Sequence, residues 1–260
     1  VFEFLEEKEE SQEESFELPA DEMVGAVSFE HVQFGYQPDK IIIHDFSCKV
    51  DPGEMVAIVG PTGAGKTTMV KLLMRFYDVN RGAIKVDGHD IRQFKRANLR
   101  ENFGMVLQDT WLFKGTIMEN IRFGDDSASD ERVKEAAAIA QSTDFIEDKP
   151  DGFDSSISQG GSNVSGGQRQ RLAIARAIVR KPEIYVFDDS FSALDFKTDS
   201  ALRQALSKET GNATVVIVAQ RVSTIMNADR IIVMDEGKVM GIGTHRELLN
   251  TCGTYQEIVR

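Results

Sequence analysis

The sequence predicts an α/β fold built around a parallel sheet. Short apolar runs without polar alternation are typical of strands that are buried on both faces of such a sheet. One of these runs leads through a glycine-rich loop, residues 60–67, into a helix-like run at 68–74. A strand, a glycine loop and a helix in this order form a recognised α/β unit, to which the other runs add strands. The apolar runs are residues 55–59, 184–187, 214–218 and 231–234.

The loop matches the P-loop pattern G-x-x-x-x-G-K-T and predicts a nucleotide site, with a chance glycine-rich turn as the alternative. Glycines let consecutive backbone N–H groups converge on phosphate oxygens, and the helix N-terminus adds a partial positive charge. Lys66 supplies a full charge for the β- and γ-phosphates, and Thr67 offers a hydroxyl to Mg²⁺. The predicted binding residues here are Gly60, Thr62, Gly63, Ala64, Gly65, Lys66, Thr67 and Thr68.

Two consecutive aspartates follow the apolar run at 184–187, in the position of the Walker B strand of a P-loop fold. Asp188 is predicted to hold Mg²⁺ through water. Asp189 is predicted to orient or deprotonate the attacking water. Two aspartates that only cap a turn are the alternative interpretation, and the P-loop upstream favours the nucleotide site.

Weaker patterns outline the rest of the chain. Alternating apolar residues predict a strand at 27–34, and the apolar residues of 41–50 continue that sheet before a turn at 51–53. Residues 115–180 have a mostly helical pattern. The other predicted elements are strands at 83–86, 102–107 and 237–243 and a helix from residue 245.

Charge and composition narrow the function classes. The 260 residues carry a net charge of −12, and residues 1–22 contribute −9 of it through ten carboxylates and one lysine. Because such a run is typical of a solvated linker, we expect residues 1–23 to be a tether and residues 24–260 the folded domain. The lack of a basic surface argues against a nucleic-acid partner. Cys48 and Cys252 have no spacing typical of a disulfide scaffold or a zinc site.

A second helix start suited to anions lies at residues 165–168, which read Ser-Gly-Gly-Gln. A single chain cannot easily present a second phosphate to it. Together with the P-loop and the Walker B strand, these residues resemble the ATP-binding cassette (ABC) family, whose signature is Leu-Ser-Gly-Gly-Gln. The resemblance covers residues 24–258 and implies ATP and Mg²⁺ as ligands. It also implies that ATP lies between the P-loop of one cassette and the signature of another, here Ser165, Gly166, Gly167 and Gln168.

The resemblance implies a P-loop NTPase (RecA-like) core with an antiparallel β subdomain and an inserted α-helical subdomain at about residues 115–180. Tyr36 resembles the aromatic residue that stacks on adenine. Gln108 resembles the glutamine that touches Mg²⁺ and senses the membrane domain. Asp195 lies in a string similar to the D-loop, which crosses the dimer interface. Residues 111–113 fit equally well a contact with a membrane-domain helix or a place in the core.

The strings at 108–121 and 243–249 are more similar to exporters than to importers. In exporters the cassette commonly follows a transmembrane domain on the same polypeptide, so the acidic tether would follow that domain. No apolar run approaches 18 residues, and the chain starts at Val1. We therefore expect a soluble fragment of an exporter that acts at the cytoplasmic face of the cell membrane. Substrate selectivity is expected to reside in the membrane helices.

The sequence departs from the family pattern around the ATP site. Asp189 stands where the family usually has Glu, and the shorter side chain can miss a water that must lie within hydrogen-bond reach. Gln220 stands where the family has a switch histidine, and an amide carries neither a titratable proton nor a positive charge. Gln159 replaces a glutamate of exporters, and Val164 replaces the leading leucine of the signature.

The changes at Asp189 and Gln220 resemble the degenerate site of heterodimeric ABC exporters. They imply an ATPase that turns over slowly in its own site and whose signature completes a competent site on a different cassette chain. The predicted catalytic residues are Asp189, Gln220 and Gln108, and the predicted Mg²⁺ ligands are Thr67, Gln108 and Asp188. A functional homodimer with Asp189 as the base is the alternative.

Other function classes remain as alternatives. An importer or translation-factor cassette and a regulatory nucleotide sensor without turnover share the same motifs. ABC ATPases of DNA repair interrupt the cassette with a long coiled-coil arm, and the stretch between Lys66 and Ser158 is too short for one. A transmembrane domain encoded upstream would decide for the exporter.

Overall fold

The computed structural model describes residues 16–19, 22–37, 39–219 and 225–259. Its larger sheet contains β3 (Met55–Val59), β6 (Phe103–Val106), β9 (Ile184–Asp188), β10 (Thr214–Val218), β11 (Arg230–Asp235) and β12 (Lys238–Gly243). The strand order is β12-β11-β3-β10-β9-β6, and every neighbouring pair is parallel except β11 with β12. All residues of β9 and β10 are buried, as expected for central strands of a parallel sheet. The predicted α/β class is confirmed.

The smaller sheet is antiparallel and contains β1 (Val27–Phe34), β2 (Ile43–Val50), β4 (Arg81–Val86) and β5 (His89–Asp90), in the order β2-β1-β4-β5. The register of β1 shifts between Phe29 and Val32, and His31 has a φ of 48°. This bulge keeps both Phe29 and Val32 buried although they are three residues apart, which explains why strict alternation fails at this point.

The helices lie mostly between residues 96 and 209 and at the C-terminal end. Residues 115–180 contain the predicted helical region. A small antiparallel pair of strands, β7 (Gly115–Thr116) and β8 (Ser156–Ile157), joins the start of this region to the segment before the signature. Short 3₁₀ helices occupy Ile91–Gln93, Gly152–Asp154 and Gln159–Gly161. The α-helices are α1 (Lys66–Leu73), α2 (Arg96–Glu101), α3 (Ile117–Arg122), α4 (Asp130–Ile139), α5 (Thr143–Glu147), α6 (Gly166–Val179), α7 (Phe196–Glu209), α8 (His245–Thr251) and α9 (Gly253–Val259). None of the described helices is both long and apolar enough to span a membrane.

The larger sheet separates two hydrophobic cores. Successive side chains of a strand point to opposite faces, so Val56 and Ile58 of β3 join one core, and Ala57 and Val59 join the other. The first core also contains the antiparallel sheet and α1, and the second contains α3 to α7. Strand β3 is therefore held from both sides, and so is the start of the loop that follows it.

Part of the predicted tether packs against the domain. The Phe16 ring lies 5.0 Å from the Phe94 ring, and Leu18 is buried. The Glu17 carboxylate lies 2.6 Å from the Lys95 ammonium. Residues 1–15 of the predicted tether lie outside the described residues. The boundary at residue 24 stays a prediction, and the contacts show that ordered packing extends at least to Phe16.

Candidate active site

The carboxyl ends of four neighbouring parallel strands, β3, β10, β9 and β6, meet at one edge of the larger sheet. Val218 at the end of β10 pairs with Ile58 of β3 and with Asp188 of β9. A cleft of about 370 Å³ opens at this edge, where α/β sheets commonly bind ligands. It is lined by Ile42, Thr62, Gly63, Gly65, Lys66, Thr67, Thr68, Gln108, Asp188, Asp189 and Val218.

Glycines allow the P-loop to press against the neighbouring strands. A Cβ at Gly60 would lie 2.1 Å from the carbonyl oxygen of Met234, and a Cβ at Gly65 would lie 2.6 Å from Cδ1 of Ile43. Gly63, with a φ of 84°, faces open space, because a Cβ there would meet nothing within 4 Å. The loop is thus fixed at its two ends and leaves an open concavity at Gly63, as a phosphate cradle requires.

The ammonium group of Lys66 crosses the P-loop. Its Nζ donates to the carbonyl oxygen of Gly60 at 2.8 Å and to that of Pro61 at 2.9 Å. Burial lowers the pKa of Lys66, and the nearby charges of Asp188 and Asp189 oppose this shift. A buried cation with two neutral acceptors is therefore placed where an anionic ligand would stabilise it.

Thr67 and Asp188 provide oxygen atoms of the kind that Mg²⁺ prefers. The Thr67 hydroxyl donates to Oδ1 of Asp188 at 3.2 Å. Oδ2 of Asp188 is buried and has no hydrogen-bond partner among the described residues. Burial is the main cause of the raised pKa of Asp188, and the charge of Asp189 adds to it. A buried carboxylate oxygen without a partner beside a hydroxyl fits a divalent cation.

Asp189 and Gln108 lie next to each other in the cleft. Asp189 has a φ of 47°, and its backbone N–H donates to the carbonyl oxygen of Val218 at 2.8 Å. Nε2 of Gln108 lies 3.5 Å from Oδ2 of Asp189, which is longer than an ordinary hydrogen bond. The predicted Gln220 belongs to residues 220–224, which lie outside the described part of the chain.

Tyr36 lies beside the first helical turn after the P-loop. Its hydroxyl is 3.4 Å from Oγ1 of Thr68, and 45% of the residue is exposed. Its ring contacts the rings of Phe34 and Tyr77 edge to face, each at 5.0 Å. Sequence reasoning missed Tyr77, which joins this cluster only because the chain folds back after α1. The exposed ring of Tyr36 can take a flat heterocycle.

The signature residues do not line this cleft. The hydroxyl of Ser165 accepts from the N–H of Gln168, and the Gln168 side chain accepts from the N–H of Ser165, so the two form a capping box at the start of α6. A Cβ at Gly167 would lie 3.1 Å from the carbonyl oxygen of Ala193. The signature therefore packs on the loop that leads to Asp195.

Asp195 acts as the N-cap of α7. Its carboxylate accepts from the N–H groups of Lys197 and Thr198 and from the Thr198 hydroxyl. These hydrogen bonds lower the pKa of Asp195, and the bonds with Thr198 have the largest effect. The carboxylate is engaged in a local structural role, and its predicted place at a dimer interface stays a prediction.

The profile of the ABC transporter family matches residues 43–192, which contain the P-loop, the signature and both aspartates. The chain belongs to the ABC transporter family. It is a nucleotide-binding domain of this family, and such ABC domains are ATPases. Residues 165–168, the ABC signature, are not among the residues that line the P-loop cleft of this chain.

Similar ABC proteins are combined ATP-binding and permease proteins. The chain is 44% identical over 260 residues to a fatty acid ABC transporter ATP-binding/permease protein of Mycobacterium bovis, covering 100% of this chain and 41% of that protein. It is 42% identical over 259 residues to a putative multidrug export ATP-binding/permease protein of Bacillus subtilis, covering 99% of this chain and 45% of that protein. The chain thus spans less than half the length of these relatives.

A solved ABC structure shares the fold. The structure of a bacterial Atm1-family ABC exporter with ATP bound superposes with a TM-score of 0.94 at 39% identity. The match covers 99% of this chain and 45% of that chain. The P-loop NTPase core, the antiparallel sheet and the helical region of an ABC exporter cassette are therefore confirmed.

Sequence reasoning missed several buried polar residues around the site. The Ser190 hydroxyl donates to the carbonyl oxygen of Val106 at 2.8 Å and joins the ends of β9 and β6. Oε1 of Gln170 accepts from the N–H of Ala193 at 3.2 Å. Both side chains bond to backbone atoms that are remote in sequence, so no local pattern signals them.

In the string at 111–113, Leu112 is fully buried, whereas Trp111 and Phe113 are exposed.

Proposed function

We propose that this chain is the cassette that powers an exporter through ATP binding and hydrolysis. The observation that carries the proposal is the cleft in which the P-loop, the Lys66 ammonium and the unpartnered Oδ2 of Asp188 converge. The likeness to combined ATP-binding and permease proteins supports an exporter rather than a free-standing ATPase.

Within the chain, the P-loop N–H groups and Lys66 bind the phosphates of ATP. Thr67, Asp188 and Gln108 hold Mg²⁺, which when bound neutralises charge on the phosphate oxygens. Tyr36 stacks on adenine. Asp189 orients the attacking water and accepts its proton, with Gln108 beside it.

A second cassette completes the site. Ser165, Gly166, Gly167 and Gln168 lie outside the lining of their own cleft, which supports a role at the nucleotide of the partner. Helix α6 continues for 14 residues after Ser165, and its N-terminus offers a partial positive charge to the partner's phosphate. Binding of ATP between the two surfaces closes the pair, and hydrolysis reopens it.

A membrane domain on the same polypeptide receives the motion. Trp111 is 55% exposed and Phe113 is 40% exposed, close in sequence to Gln108. Contiguous exposed apolar patches, rather than single exposed residues, mark interaction surfaces. We assign Trp111 and Phe113 to the contact with the membrane domain, which places the full-length protein at the cytoplasmic face of the cell membrane. Leu112 belongs to the core.

The ATP site of this chain is proposed to be degenerate. Asp189 is one methylene shorter than glutamate, and its backbone is fixed by the bond to Val218. Gln220 supplies no titratable proton. The partner in a heterodimer would carry glutamate and histidine at these positions and use the signature of this chain. The alternative is a homodimer in which Asp189, with Gln108 beside it, serves as the base.

The test compares ATP turnover by the parent with that of Asp189→Glu, Gln220→His and the double variant. A restored general base should raise turnover by about 10²-fold or more. ATP affinity and thermal unfolding are measured in parallel, since glutamate is less tolerant than aspartate of the positive φ at residue 189. Rapid turnover by the parent, or no gain in a folded double variant that binds ATP, would overturn the proposal of a degenerate site.

A further inference from the structure

Arg176 is the centre of a polar cluster that joins the signature helix to the loop after Gln108. It lies on α6, three turns after Ser165. Its Nε donates to the carbonyl oxygen of Asn120 at 2.8 Å, and its Nη1 donates to that of Trp111 at 3.0 Å. Its Nη2 donates to Oδ1 of Asn120 at 2.9 Å. One side chain thus connects α6, α3 and the backbone at Trp111.

The Arg176 guanidinium also lies against two aromatic rings. Its central carbon is 5.5 Å from the centroid of Phe113 and 5.5 Å from that of Phe123, and these two rings are 4.6 Å apart. Phe123 is 59% exposed, so it is an exposed aromatic residue like Trp111 and Phe113. We call Trp111, Phe113 and Phe123 the aromatic platform.

Asn120 extends the connection from Arg176 to the platform. This side chain is buried, and its Oδ1 accepts from the N–H of Phe113 at 2.9 Å. Its Nδ2 donates to the carbonyl oxygens of Phe113 and Thr116 at 2.9 and 3.0 Å. The backbone of Phe113 is therefore held on both sides by Asn120, and Asn120 is oriented by Arg176.

Simple stabilisation does not explain an arginine at this position. Among the described residues Arg176 has no carboxylate partner, and burial lowers its pKa to about 10. A cation that is partly buried without a counter-ion is costly compared with an apolar side chain. Only a guanidinium, however, donates in a fixed planar fork while its faces stack on aromatic rings. The geometry uses both properties.

The platform also touches the turn before the signature. The Trp111 ring lies over Gly160, where an added Cβ would be 3.2 Å from the indole. The N–H of Gly160 donates to the carbonyl oxygen of Leu112 at 2.9 Å. Both ends of the segment from Gly160 to Arg176 are thus attached to the loop that carries the platform.

We infer that Arg176 is a positioning residue that makes the signature helix and the aromatic platform one rigid unit. A displacement of Ser165–Gln168 by nucleotide at the cassette interface then moves the platform by a similar amount. The source of that displacement rests on the proposed function, whereas the rigid connection does not.

Trp111 is the only tryptophan of the sequence, so its fluorescence reports on the platform directly. In Arg176→Gln we expect the rate of acrylamide quenching without nucleotide to rise about twofold, because the platform opens locally more often. Arg176→Lys should not rescue it, since an ammonium lacks the planar fork. Arg180→Gln, an exposed change at the end of the same helix, should leave quenching unchanged.

Leu206→Ala on α7 is the control for a general loss of stability. It should lower the unfolding temperature without changing the rate of acrylamide quenching of Trp111. MgATP should shift the Trp111 emission of the parent. At equal nucleotide occupancy, Arg176→Gln should lose about half of that shift or more, although its ATP affinity is that of the parent.

Unchanged quenching in Arg176→Gln, or full rescue by Arg176→Lys, would overturn the positioning role. A parent that binds ATP without any shift in Trp111 emission would overturn the transmission of motion and leave the ATP site standing. If the parent fails to bind ATP, the proposed function fails, and the quenching without nucleotide still decides the role of Arg176.

Discussion

Lys66 and Asp188 carry opposite charges in a cleft whose burial disfavours both. Burial lowers the pKa of Lys66 and raises that of Asp188, so each is shifted toward its neutral form. The two shifts have the same main cause, which is the removal of water at the carboxyl ends of β3 and β9. A triphosphate beside Lys66 and a cation beside Asp188 supply the missing counter-charges.

Lys66→Ala is expected to lower ATP affinity by about 10- to 100-fold, because a charged donor contributes roughly 1.5–3 kcal/mol through its hydrogen bonds. Isothermal titration calorimetry of the chain with MgATP measures the change. Lys134→Ala, an exposed change on α4, is the matched control and should bind ATP like the parent. Equal affinities in both variants would contradict the assignment of the phosphate site.

Asp188→Asn is expected to stabilise the chain near neutral pH in the absence of nucleotide and metal. A carboxyl group whose pKa is raised by folding contributes most to stability below its unfolded pKa. That contribution is lost as pH rises through the folded pKa. At pH 7 the buried charge of Asp188 therefore lowers the stability of the parent, whereas asparagine carries no charge. The difference in unfolding temperature should shrink as the pH falls from the raised folded pKa toward the unfolded pKa of about 4, below which Asp188 is protonated in both states.

Thermal unfolding between pH 3.5 and pH 8 measures this difference, with the exposed Asp126→Asn as the control. Added Mg²⁺ should raise the unfolding temperature of the parent and not that of Asp188→Asn. A variant that is less stable than the parent at every pH would show that the Asp188 charge is already compensated within the protein.

At the scale of elements, three helices of the described residues begin with the same kind of cap. Capping boxes begin α3 with Thr116 and Glu119, α6 with Ser165 and Gln168, and α8 with Thr244 and Glu247. All three follow the pattern Ser/Thr-x-x-Glu/Gln. Only the box of α6 contains two glycines between its members, and a Cβ at the second, Gly167, would lie 3.1 Å from the carbonyl oxygen of Ala193.

Ser165→Ala and Thr244→Ala should therefore lower the free energy of unfolding by a similar amount, about 1 kcal/mol each. Urea unfolding measures that loss. Only Ser165→Ala should weaken the MgATP-dependent association of cassettes in sedimentation velocity, because only Ser165 is proposed to face the partner's phosphate. Equal association in the two variants would restrict Ser165 to a structural cap.

At the scale of the whole molecule, Arg132 connects the helical region at residues 115–180 to α7, which follows it in the chain. From α4 its Nη2 donates to Glu209 of α7 and to the carbonyl oxygen of Ile178 at the end of α6, each at 2.7 Å. Its Nη1 pairs with Glu135, also at 2.7 Å. The side chain of Glu209 is 19% exposed and that of Glu135 is 58% exposed. Solvent therefore screens the charge of Glu135 more strongly than that of Glu209.

Glu209→Gln is expected to lower the free energy of unfolding by about 1–2 kcal/mol, because a largely buried arginine loses a charged partner that is mostly shielded from solvent. Glu135→Gln should cost less than about 0.5 kcal/mol, as exposed pairs on one helix usually do. Urea unfolding of the two variants compares the carboxylates on the same arginine. Equal losses would show that Arg132 does not hold the helical region to α7.

The domain layout was largely predictable, with identifiable exceptions. The apolar runs at β3, β9, β10 and β11 were predicted as strands because nearly all of their residues are buried. Helix α7 was missed because it has few buried positions, among them Leu202 and Leu206. The contacts of Phe16 with Phe94 were also missed, because the surrounding acidic residues dominate the local composition.

The sequence by itself determined the phosphate loop, the Walker B carboxylates and the signature, since each is a local pattern of backbone freedom and charge. It also determined the ABC family and the strands that carry these motifs. Only the tertiary structure decided that Trp111 and Phe113 are exposed while Leu112 is core, and that Arg176 joins them to α6. These facts depend on contacts between segments remote in sequence, and such contacts leave no periodic or local trace in the chain.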